Sequence, residues 1–65
     1  LRASLPAPIA VARVRMHLAE ILAAAGDRAG AELELTAAAE AFDALQAPRL
    51  RERCLARRAT LAEPA

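Results

Sequence analysis

Apolar residues recur along this chain at the three- and four-residue spacing of a helix face, in three blocks separated by turn signals. The first stripe runs Val11, Val14, Leu18, Ile21/Leu22 and Ala25. The second runs Ala31, Leu35, Ala38, Phe42 and Leu45 without a break. The third carries Leu50, Cys54, Leu55, Ala59 and Leu61. Helices are therefore expected over residues 5–25, 28–46 and 49–62. Ser4 is the expected first N-cap, with Pro6 and Pro8 in the opening turn, where a missing N–H costs little. Gly26-Asp27 supplies a helix stop and the next helix's cap together. Ala47-Pro48 ends the second helix, because the residue before a proline is pushed out of the helical region, and Pro48 opens the third. No alternating stretch argues for a strand. The fold class is all-α: an antiparallel helical hairpin plus a third, capping helix.

Composition narrows this picture. Of 65 residues, 20 are Ala and 10 are Leu, and Phe42 is the sole aromatic. Ala at Ala19, Ala23, Ala31 and Ala38 leaves room for close backbone approach, with Leu18, Leu22, Leu35 and Phe42 expected to fill the space between the helices. Buried alanine removes little apolar area from water, so three such helices make a marginal core alone. A neighbouring repeat or self-association is the expected remedy; Leu33, Ala37 and Ala41 are read as ordinary surface residues, with a face for a second copy as the alternative. Beginning on Leu1 and ending on Pro64-Ala65, the chain reads as a fragment of something longer.

Charge is arranged in blocks. Residues 1–19 hold three arginines and no acid, residues 20–45 hold six acids against Arg28, and residues 46–65 hold five arginines against Glu52 and Glu63. An acidic middle helix is thus expected between two basic ones, with arginines pairing onto it. All nine basic residues are Arg, which together with the alanine content fits a GC-rich bacterial genome. No apolar run reaches the ~20 residues of a membrane span, and no signal-peptide pattern opens the chain, so a cytoplasmic location is expected.

Residues 12–48 resemble a tetratricopeptide-type helical repeat. Leu18-Ala19 match that family's large-small pair, Leu22 its next large residue and Gly26-Asp27 its turn. Ala31, Leu35 and Ala38 match the small, large and small markers of its second helix. Arg15 stands where the family favours Trp, and Leu22 and Leu35 replace its Tyr and Phe. The lengthened second helix, closing on Phe42, Leu45, Ala47 and Pro48, is similar to repeats in large bacterial regulators of the LuxR and AfsR/MalT type. The resemblance implies a protein-interaction array in which partners lie along first-helix faces. Here that outward face is Arg13, Met16, His17, Glu20 and Ala24.

Catalytic chemistry has little to stand on. His17 has no second histidine and no nearby serine to activate. Cys54 follows Arg53, whose charge lowers a thiol pKa, yet cysteine also serves as a small core hydrophobe. One Cys and one His complete no metal site, the acids lack oxygen-rich loop spacing, and two isolated glycines make no phosphate loop. No enzyme activity and no cofactor are expected. The residues 49–58 stretch, with Arg49, Arg51, Arg53, Arg57 and Arg58, is the one basic cluster. As a nucleic-acid contact it would offer phosphate partners, but the net charge is only +1 and no aromatic lies beside it for stacking. A solvated cap face, or pairing with the acidic helix, is the reading carried forward. The rivals are a small nucleic-acid-binding module and a dimerisation element of a multidomain enzyme.

Overall fold

The computed structural model describes residues 7–63, in three helices: α1 (Ala7–Ala24), α2 (Arg28–Ala44) and α3 (Pro48–Ala62). Ser4 and Pro6, assigned above to the start of the first helix, lie outside the described residues. Three-residue connections turn the chain back on itself twice. α2 packs against α1 on one side and α3 on the other, while α1 and α3 meet only marginally. The fold is all-α, a helical hairpin with a third helix laid on its second.

Both turns are built alike. After α1, Gly26 N–H donates to the Ala23 carbonyl (3.1 Å) and Asp27 N–H to the Leu22 carbonyl (2.8 Å). After α2, Gln46 N–H donates to Asp43 (3.0 Å) and Ala47 N–H to Phe42 (2.9 Å). This pairing of a short and a long reach is the Schellman closure, which satisfies carbonyls that a helix end leaves open. Asp27 then caps α2, its carboxylate accepting from Gly30 N–H at 2.9 Å. Ala47 has no side chain to do the same for α3, and Pro48 relieves that end by bringing no N–H to satisfy. α2 stops at Ala44 rather than residue 46, so the turn ends the helix before Pro48 is reached.

The core differs from the expectation on α1. Of the expected stripe Val11, Val14, Leu18, Ile21/Leu22 and Ala25, Leu22 packs half-buried against the core, whereas the other five are exposed. What α1 buries is Ala12 and Ala19, with Met16, Leu22 and Ala23 half-buried beside them. Leu18 accordingly does not fill the hairpin interior. α1 carries two seams of similar helical spacing, and the smaller-residue seam meets α2. Alanine opposite alanine permits the short end of the ~8–10 Å range of helix separation, which brings the long helices into contact along their length. α2 follows its stripe through Ala31, Leu35, Ala38 and Phe42, which are buried; Leu45 is half-buried, and Ala39, outside the stripe, is buried as well. On α3 Cys54 is buried and Leu50, Leu55 and Leu61 are half-buried, whereas Ala59 is exposed. Among the described residues, only Phe42, Leu35 and Cys54 of the buried set exceed alanine in size.

Candidate functional site

The helical period places Arg13, Met16, His17 and Glu20 on one flank of α1, away from its apolar outer strip. Because α3 lies beyond α2 in the same orientation as α1, that flank looks across a groove at Leu50, Arg53 and Arg57 of α3. Leu35 of α2 also lines the groove, whose volume is about 260 Å³. Four residues of the proposed partner face and two of the proposed basic face therefore line one site. Ala24 is exposed but does not line it.

One clamp spans the groove. Arg57 donates from Nε to Glu20 Oε2 at 2.8 Å and from Nη2 to Glu20 Oε1 at 2.9 Å, occupying both carboxylate oxygens. Those bonds hold the Glu20 carboxyl below its ordinary pKa, with a weaker opposing push from desolvation. They likewise raise the guanidinium of Arg57. Two long side chains thus link helices whose relative placement is set by the packing of each on α2. Among the described residues Arg13 and Arg53 have no hydrogen-bond or ion-pair partner.

The remaining arginines of α3 are dealt to other sides. Arg51 Nε lies 3.6 Å from Asp43 Oδ1, and Arg58 donates to Thr36 Oγ1 at 3.0 Å, both on α2. Arg49 is exposed. On the far side of the hairpin, Arg15 pairs with Glu34 at 2.9 Å. Pairing with the acidic helix is thus present for Arg15 and Arg51, while Arg57 reaches past it to α1. Of the proposed basic face, Arg53 and Arg57 line the groove, while Arg51 and Arg58 contact α2.

The second distinctive surface is the outer strip of α1. Val11 is 53% exposed, Val14 62% and Ile21 63%, with Leu18 beside them. Sequence reasoning located these residues but assigned them to the interior. The signal that separates the two seams is size: the alternative series Ala12, Met16, Ala19, Ala23 is the one narrow enough for a close helix pair. Leu33 is 72% exposed on α2, whereas Ala37 and Ala41 are half-buried.

The Cys54 thiol is enclosed, and burial raises its pKa above the ordinary value; the charge of Arg53 pulls the other way and loses. The thiol is therefore not activated by its neighbour. Among the described residues no group of His, Cys, Asp and Glu could hold a metal ion, and no helix is long and apolar enough to cross a membrane. No family model matches the chain, and neither a curated protein nor a solved structure matches it.

Proposed function

We propose that the chain is a non-catalytic protein–protein interaction and scaffolding segment, the tetratricopeptide-like part of a bacterial regulatory protein working in the cytoplasm. One observation carries the reading. α1 buries its alanines against α2 and leaves Val11, Val14, Leu18 and Ile21 outside. A chain with a sufficient core of its own would be expected to bury its large side chains first. Full burial of a Val, Leu or Ile side chain is worth roughly 1.5–3 kcal/mol, so a helix laid along this strip gains several times that amount. The 3-4-3 spacing of the strip is that of a helix-pairing seam. Its occupant is a neighbouring repeat or a second copy.

Light scattering of the 65-residue chain, with thermal melts over a range of concentrations, tests the reading. An oligomer, or a melting temperature that climbs with concentration, is expected. The Val14→Gln/Ile21→Gln variant should lose that dependence while keeping its helical signal. A monomer melting cooperatively at a concentration-independent temperature would overturn the proposal.

A further inference from the structure

We infer that the outer strip of α1 is covered by the same strip of a second copy of this chain, the two α1 helices lying antiparallel about a two-fold axis. The inference rests on the interaction reading above and narrows it to one of its two occupants. The three helices form a layer with α2 in the middle, so α1 and α3 each present an open edge. The α1 edge is apolar, with Val11, Val14, Leu18 and Ile21 exposed. The helical period puts Arg49, Glu52, Ala56, Ala59 and Glu63 on the α3 edge, turned away from buried Cys54, and all five are exposed. An array of repeats grows by laying one edge of a unit on the opposite edge of the next. Here that would set Val and Ile against Arg49 and Glu52, and burying a charge without a partner is costly. Off α1, the only large apolar side chain exposed among the described residues is Leu33, a single knob with no seam around it. Among the described surfaces the strip therefore matches only itself. A self-matching patch makes a closed two-fold pair, whereas unlike patches make open chains.

Spacing and size set the direction. The intervals of 3, 4 and 3 residues read the same from either end, so a reversed partner keeps every side chain in register. Antiparallel, Val11 stands opposite the second copy's Ile21, and Val14 opposite its Leu18. Each layer then joins a smaller side chain to a larger one, which keeps the seam even in width. A parallel pair would stack valine on valine at one end, leaving the Leu and Ile layers wider at the other. Reversal also opposes the two helix dipoles. At the margin of the strip, Arg15 is held by Glu34 of its own hairpin at 2.9 Å, so this margin brings no unpartnered charge to the seam.

Sedimentation equilibrium of the intact 65-residue chain should show association that ends at the dimer. Continued growth with concentration would overturn the two-fold pairing and leave the interaction reading standing, whereas a monomer at every concentration would overturn both. Affinity-tagged parent should capture untagged parent but not Val14→Gln/Ile21→Gln, since each copy must bring its own strip. Equal capture of that variant would show the strip resting on a different surface and would overturn the inference. Ala56→Gln/Ala59→Gln, on the α3 edge, should leave the dimer intact, and its dissociation would likewise overturn the inference. Charges at the ends of the seam read the direction. Val11→Glu and Ile21→Arg should each weaken the dimer at least about tenfold. Combined in one chain they should recover most of that loss, because each glutamate then meets an arginine across the antiparallel pair. A parallel pair would set like charges together, so a double variant no stronger than the single ones overturns the arrangement. Every substituted position is exposed in the fold, so circular dichroism should stay that of the parent.

Discussion

Gly26 and Gln46 occupy the same place in the two turns, each with a left-handed backbone, φ 91° at Gly26 and 58° at Gln46. One of the two is the residue suited to that conformation and the other is not. A side chain costs roughly 1–2 kcal/mol in the left-handed region. Gln46→Gly should therefore stabilise the fold by up to about 1 kcal/mol, after the extra entropy of the unfolded glycine is deducted. Gly26→Ala should cost about as much, and for conformational reasons alone, since a Cβ there meets no atom within 4 Å. Urea unfolding of both variants checks the pair. Opposite signs are required, and a neutral Gln46→Gly would show that the strain is relieved by something else.

Phe42 and Leu35 are the largest fully buried side chains, and the alanines around them have little volume with which to close a gap. Truncating a buried Phe to Ala typically costs ~3–5 kcal/mol, which is as much as a core this small supplies in total. Phe42→Ala should abolish cooperative melting by circular dichroism. The opposite change, Ala38→Phe, forces a ring into a contact with no free surface and should cost at least about 1–3 kcal/mol. A variant of Ala38 that melts like the parent would refute the close helix contact.

The turns and the middle helix were legible in the chain because each rests on local chemistry. Asp27 caps through its own neighbour Gly30, Pro48 opens α3 through its fixed ring, and α2, flanked on both sides, buries most of its apolar stripe. α1 had two seams. Ala19 and Ala23 were legible as close-approach positions, but the larger seam also looked like the interior by hydrophobicity, and fit to the facing helix decides which seam meets α2. That choice depends on two helices at once, which periodicity along one helix does not report. The groove was half legible for the same reason. Arg13, Met16, His17 and Glu20 share a face by spacing, whereas their meeting with Arg53 and Arg57 is set by how α3 lies on α2.

The Glu20–Arg57 clamp has a predictable response to acid. Glu20 ionises more readily in the fold than its ordinary value of 4.5, chiefly through the hydrogen bonds from Arg57. A carboxyl whose folded pKa is lowered adds stability above its unfolded value and loses it as pH falls through the folded one. The clamp's contribution should therefore be complete above pH 4.5 and be lost as pH falls from there through the lower folded value. Melting temperatures of the parent and Glu20→Gln, compared across pH, should differ in the upper range and converge in acid. A difference that stays constant with pH would show that Glu20 acts through packing instead of charge.

Cys54 should behave as a core residue. Its thiol is enclosed and its pKa raised, so both access and thiolate fraction are reduced. Alkylation by iodoacetamide is expected to be slow in the native chain and fast in denaturing urea. Native labelling at the rate of a free cysteine would contradict the burial of this side chain.

Gly30 offers the sharpest test of local geometry, because two effects of similar size oppose each other there. Alanine is better than glycine in a helix by up to ~1 kcal/mol, which taken alone predicts that Gly30→Ala stabilises α2. A Cβ at Gly30, however, would lie 2.8 Å from the Asp27 Cγ, too close for the carboxylate to keep its place. That carboxylate caps the helix by accepting from Gly30 N–H, and loss of such a cap costs about 0.5–2 kcal/mol. In the parent background the two should cancel or leave a net loss. Once Asp27→Ala has removed both the cap and the obstruction, Gly30→Ala should stabilise the chain by up to about 1 kcal/mol. The double-mutant cycle by urea unfolding measures this change of sign. If Gly30→Ala has the same effect in both backgrounds, the cap and the missing Cβ are not coupled.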